Sequence, residues 1–236
     1  YADLIDIQGI SQRAATRAKS RLGSGPVSSR RGAMLVENRV ASRILGTLVN
    51  PMYGGSIYEK RSCVADKLGS AIASSAFSLI DDPHIPRALG SRVYDGDGRP
   101  TARRELVRDG VLQTWLINVY YGRKLGMEPT TSSTSNLVVP SGNLGPMELI
   151  ADLPWTIHVD GFLGGNSNPA TGKYSFGIRG TLFEKGEPVA PVSEMNITGS
   201  IFDLLKGYVG AANDPWNSGA CRSPSLLFDE VQFSGQ

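Results

Sequence analysis

Apolar positions along the chain change their spacing near residue 78, and the elements they predict change with them. "ISQRAATRAKSRL" (10–22) sets Ile10, Ala14, Ala18 and Leu22 on one face, the pattern of an amphipathic helix that Gly23 closes. After the turn-rich "GSGPVSSRRG" comes "MLVENRVASRILGTLV" (34–49). It predicts a strand at 33–36 and a helix over about 38–49, with Asn38 as N-cap and Pro51 as its end. Leu68 to Phe77 predicts another helix, weakened by its serines. Beyond residue 78 the pattern shortens toward alternation. It predicts a turn at Asp95–Gly98, a hairpin with "RDG" (108–110) at its tip, a short helix near 117–125 and a polar loop at 130–136. A helical turn from Pro146 to Leu153, a strand at 156–165 and a second hairpin over 173–192, turning at Lys185-Gly186, follow. A helix over 200–211 N-capped by Ser200 and a strand at 225–233 complete the pattern. The two hairpins, "LVRDGVL" and "LFEKGEPV", look alike, which a weak internal duplication or the shared chemistry of tight turns would explain. The expected fold is α+β: mainly antiparallel, barrel-like sheets with a few packed helices. A doubly wound parallel sheet is disfavoured, because strands and helices do not alternate through the second half.

Composition alters this picture little. The 236 residues are 40% hydrophobic and 19% charged, ordinary for a globular protein. The longest apolar-leaning stretch, "LGSAIASSAFSLI" (68–80), is broken by four serines and is too short to span a bilayer, so no membrane partner is expected. The chain begins at Tyr1 and shows no charged region followed by an apolar one, from which we expect no signal peptide and a missing upstream domain. Charge is uneven. Residues 1–45 carry eight Arg/Lys (Arg13, Arg17, Lys19, Arg21, Arg30, Arg31, Arg39, Arg43) against Asp3, Asp6 and Glu37, a net of +5 within a total of +2. No aromatic residue interleaves with those arginines to stack on bases, so a solvated face is expected and nucleic acid is not. Cys63 and Cys221 form no C-x-x-C, which fits reduced thiols in the cytoplasm.

The chemistry-bearing motifs are sparse. No Gly-rich phosphate loop and no G-x-S-x-G elbow occur. His84 lies in "DDPHIP" and His158 in a strand beside Asp160, neither with metal-ligand spacing. "YDGDG" (94–98) opens like a calcium loop but lacks the later bidentate Glu, so it reads as a turn. "NIT" (196–198) is a glycosylation sequon that matters only in a secreted protein. "GGNSNPATGKYSFGIRG" (164–180) offers Gly164, Gly165 and Asn166, then Tyr174 and Phe176 alternating on a strand, a surface suited to an extended peptide added by strand pairing. The plain alternative is an exposed loop leading into an ordinary strand.

Taken together, "AATRAKSRLG" (14–23), "GGSIYEKRSCVADKLG" (54–69), the run from Asp81 to Gly126, "ATGKYSFGIRGTLFEKGEPVAPVSEMNITGSIFDLL" (170–205) and the closing "CRSPSLLFDEVQFSG" resemble the TldD/PmbA family, also called modulator of DNA gyrase. The resemblance runs from about Arg13 onward and implies the C-terminal domain of a PmbA/TldE-like protein. It implies a cytoplasmic metallopeptidase of two subunits that trims unfolded peptides. One subunit, TldD-like, carries His-Glu-x-x-x-His and a late cysteine around zinc; the PmbA-like partner has lost the histidines. Aligned to that frame, Glu37 and Ser42 stand at the histidine positions, Asn38 at the glutamate and Cys221 near the cysteine. No metal or other cofactor is then expected in this chain, with zinc in a TldD-like partner; a self-dimer is the other pairing. Glu37 retains a weak cation donor, but Asn38 cannot take a proton from water. Two other functions stay open at this stage: a regulatory module acting on gyrase or a nucleic-acid regulator, and an enzyme with Cys221 as nucleophile, which would need a nearby histidine base.

Overall fold

The structure, a computed structural model, describes residues 7–235. In chain order it opens with α1 (Ile7–Lys19), β1 (Arg30–Val36), α2 (Ser42–Val49), which passes into a 3-10 turn at Asn50–Met52, and α3 (Gly54–Tyr58). Next come β2 (Leu79–Asp81), β3 (Arg104–Arg108), β4 (Val111–Leu112), α4 (Val119–Leu125), β5 (Leu137–Val138) and α5 (Pro146–Ile150). The remainder is β6 (Thr156–Phe162), β7 (Asn166–Ser167), β8 (Lys173–Glu184), β9 (Glu187–Ser200), α6 (Ile201–Lys206), β10 (Tyr208–Ala211), β11 (Cys221–Arg222) and β12 (Leu226–Ser234).

Five strands close on themselves. The order β1-β6-β8-β9-β12 returns to β1 through a β1–β12 pairing, and β7 and β10 attach to β8 and β12. All these pairings are antiparallel except β1–β6. Closure removes open edges, and a barrel of so few strands is filled by its own side chains. Met34, Val36, Ile157, Val159, Phe176, Ile178, Met195, Ile197, Phe228 and Phe233 come from all five strands into one core, which continues to α2, α6 and the second sheet. That sheet, β11-β5-β2-β3-β4, is smaller. On the opposite face of β1, Ala33 and Leu35 pack with Leu227, Ile150 of α5 and Phe183. Among the described residues no helix is long and apolar enough to cross a membrane.

The expected α+β, barrel-like architecture is present, with local corrections. Both hairpins turn on two residues of positive φ, Asp109-Gly110 and Lys185-Gly186, in separate sheets, so turn chemistry accounts for their likeness. The second hairpin is longer than expected, β9 reaching Ser200. Leu68–Phe77 is not helical. Its backbone pairs at long range instead: Gly69 N–H donates to Leu112, Ile72 and Ala73 to Gly110, and Ser74 to Leu205. Ser200 does cap α6 by accepting from Phe202 N–H, but the helix stops at Lys206. Tyr208 onward becomes a strand on β12, with the Tyr208 ring against Phe77 and Phe228. α1 inverts its expected face: Ile10 and Leu22 are 48% and 77% exposed, while Arg17 and Arg21 reach the body.

Candidate functional site

Period-two alternation places the site on the barrel wall. Along β1, Met34 and Val36 point inward and Leu35 outward; along β6, Ile157 and Val159 point inward and His158 and Asp160 outward. The parallel register sets Leu35 beside His158, and Glu37 N–H extends the ladder to Val159 O at 3.0 Å. The Glu37 side chain, 12% exposed, is ion-paired with Arg17. Asp160 lies 3.6 Å from Arg21 and accepts from Arg179 Nε at 3.3 Å. The enclosure is incomplete in its bonding: Glu37 Oε2, His158 Nε2 and Arg21 Nε are buried without a hydrogen-bond partner. Burial lowers the His158 pKa below its usual value, against the pull of Glu37 and Asp160 toward protonation.

After Glu37 the chain turns before it becomes helical. Val40 and Ala41 N–H both bond Glu37 O, and α2 begins at Ser42 with no side-chain cap. Asn38 is therefore not the expected N-cap. Its Nδ2 donates to Asp214 O at 2.6 Å and to Asp214 Oδ2 at 3.2 Å, while its own N–H bonds Ser225 Oγ at 3.1 Å. Ser225 completes the knot by donating N–H and Oγ to the two Asp214 oxygens, each at 2.8 Å. A carboxylate at position 38 would face the Asp214 carboxylate; the amide donates to it instead.

Three side chains around this turn face solvent. Ser42 is exposed, Arg39 lies 4.9 Å over the Trp216 ring, and Arg43 lies 4.5 Å over Phe176. Arg43 also donates to Gly165 O at 2.6 Å. Gly165 holds φ +79°, and a Cβ there would sit 2.1 Å from Ser175 O, so glycine is required. Arg43 thus joins two groups that the sequence suggested separately, the Glu37–Ser42 turn and the Gly164–Asn166 loop. Tyr174 and Phe176 do not join them at the surface. They are 7% and 0% exposed and stack with ring centroids 5.3 Å apart inside the core, because inward positions of β8 belong to the barrel interior. Cys221 stands elsewhere, in β11 of the smaller sheet, half-buried, its thiol pushed up to about 11 by burial.

Metal binding is not favoured by this donor set. Glu37 is neutralised by Arg17, Asn38 is engaged with Asp214, Ser42 offers only a hydroxyl, and Cys221 belongs to β11 of the smaller sheet. Among the described residues no group of three or more His, Cys, Asp or Glu is placed to hold a metal ion. The residues present do not fit zinc.

Residues 29–235 match the sequence model of the PmbA/TldA metallopeptidase C-terminal domain. The chain belongs to the PmbA/TldD family. Within that family it is 34% identical to a metalloprotease PmbA homolog of Haemophilus influenzae, covering 96% of this chain and 51% of the relative. It is 30% identical to metalloprotease PmbA of Escherichia coli O157:H7, covering 100% and 53%. A crystal structure described as a candidate modulator of DNA gyrase, from Bacteroides thetaiotaomicron, superposes with TM-score 0.96 at 40% identity, covering 100% of this chain and 54% of that one. TldE from Thermococcus kodakarensis shares the fold, with TM-score 0.89 at 22% identity over 98% of this chain and 56% of that one. The chain thus spans about half the length of the PmbA/TldD relatives it matches. Sequence reading did not find the roles of Asp214, Ser225 and Trp216. The "NDPW" stretch (213–216) was the available signal, but the Asn38 it engages lies 176 positions away in the chain.

Proposed function

We propose that this chain is the metal-free, PmbA/TldE-like part of a two-subunit cytoplasmic metallopeptidase acting on unfolded peptides. Zinc would reside in a TldD-like partner. The observation that carries the reading is the Asn38–Asp214–Ser225 knot beside the Glu37–Arg17 pair. Where the family frame calls for two imidazoles and a general base, these side chains serve one another. Glu37, Asn38, Ser42 and Cys221 are, in this reading, the vestiges of a metal site. The chain contributes shape: Gly164, Gly165 and Asn166 border the peptide path, with Tyr174 and Phe176 as buried support behind them. β7 begins at Asn166 and pairs with β8, which fits an extended segment laid against the loop.

The test combines metal analysis of the purified full-length protein with peptide cleavage, measured alone and with its TldD-like homologue. The expected result is no tightly held transition metal, no cleavage alone, and cleavage by the mixture faster than by the homologue alone. Stoichiometric zinc in this protein, or a full rate from the homologue alone, would overturn the reading. The gyrase or nucleic-acid alternative is weakened because two arginines of the basic N-terminal segment, Arg17 and Arg21, face Glu37 and Asp160.

A further inference from the structure

Resting on that reading, we infer that Arg39 and Arg43 form a carboxylate-binding site for the peptide, with Ser42 between them in the chain. Each guanidinium lies over an aromatic ring, which orients its plane while leaving edge N–H groups available. Arg43 uses one donor on Gly165 O. Arg39 makes no side-chain hydrogen bond or ion pair among the described residues. Both side chains are exposed, as is Ser42.

The nearby acids do not neutralise this pair. Glu37 is paired with Arg17, Asp160 with Arg21 and Arg179, and Asp214 accepts from Asn38 and Ser225. Three other exposed arginines are ion-paired instead: Arg31 with Glu230, Arg61 with Glu59 and Arg108 with Glu105. Two cations seated over aromatic rings, with donors unfilled, match the planar oxygen pair of a carboxylate. A peptide supplies that group in two ways, at its C-terminus or on an Asp or Glu side chain. Either way, the turn at which the family frame sets metal ligands now presents fixed organic cations to the substrate.

The experiment is fluorescence anisotropy on the full-length protein at low salt, with labelled Gly/Ser-rich peptides of three kinds. One has a free C-terminus, one is amidated with an internal Glu, and one is amidated and neutral. Binding of the first kind identifies the C-terminal carboxylate as the source, and binding of the second the side chain. In either case Arg39→Gln should weaken Kd by about 10-fold, because a charge-assisted hydrogen bond contributes on that scale. Arg43→Gln should weaken it at least as much, and Arg43→Lys should restore part of the loss. Among the described residues Arg39 makes no side-chain hydrogen bond or ion pair and loses only its exposed contact over Trp216, so its variant should melt close to the parental temperature, separating binding from folding. Equal binding of all three peptides, or no effect of Arg39→Gln, would overturn this inference and leave the peptide reading standing. No binding of any peptide, alone or with the partner, would overturn both.

Discussion

On the inner face of the β1–β6 ladder, Met34, Val36, Ile157 and Val159 are wholly buried among apolar neighbours. One residue away along the same ladder, Glu37, His158 and Asp160 hold charge or a polar ring beneath Arg17 of α1 and Arg21 of the turn after it. The inner face needs only apolar volume of the right shape, and each buried side chain contributes by leaving water. The outer face carries the opposite cost, because buried polar atoms without partners are unfavourable. The difference teaches that the barrel is held by the first face, and that the second tolerates a local penalty around Glu37, His158 and Arg21.

The largest effect should come from the inner face. Ile157→Ala removes a fully buried branched side chain and should cost about 2–5 kcal/mol in denaturant unfolding. A loss under about 1 kcal/mol would mean that the interior is not close-packed. Next is Arg17→Ala, which leaves the Glu37 carboxylate enclosed without its counter-charge and should cost about 1–3 kcal/mol. Adding Glu37→Gln should recover part of that loss, and strict additivity in the double-mutant cycle would show that the pair is not coupled.

A smaller effect concerns pH. Burial depresses the His158 pKa in the folded state below its unfolded value of 6.5. The unfolded chain therefore binds the proton first as pH falls. The stability contributed by neutral His158 is fully present above pH 6.5 and is lost as pH drops through the folded pKa. Replacing His158 with Phe should flatten the slope of stability against pH in that window; an unchanged slope would assign it to other groups. Smallest of all, Leu22→Gln, at an exposed position in the turn after α1, should change stability by less than about 0.5 kcal/mol. Outside the ladder, Cys221 should react slowly with iodoacetamide at pH 8 and rapidly once denatured, since burial keeps its pKa at about 11.

What the chain announces in advance is what local periodicity and turn chemistry control. The strand at 33–36, the Lys185-Gly186 turn and the Ser200 cap are each set by neighbours in sequence, and each is present. Failures occur where a distant partner outbids the local preference. Asn38 would have capped a helix, but Asp214 takes its side chain. Leu68–Phe77 would have coiled, but the β3–β4 hairpin takes its backbone. The alternation of Tyr174 and Phe176 was visible, yet it does not say which face is wet; barrel closure decides that. Glu37, Asn38 and Ser42 of the candidate turn were legible as residue types. The engagement of Glu37 with Arg17 and of Asn38 with Asp214 and Ser225 was not, because those partners are supplied by the fold.

The one parallel pairing within the barrel, β1 on β6, needs a crossover, and residues 37–155 are that crossover, with most of the smaller sheet inside it. The other neighbour of β1 is β12, which lies nearly at the far end of the described chain. During synthesis, β1 leaves the ribosome long before either strand that will flank it exists. Its apolar "AMLV" segment must stay soluble until the crossover to β6 has been made, and the ring can shut only when β12 arrives. Chaperone capture of the nascent protein should therefore begin at β1 and end with the release of β12.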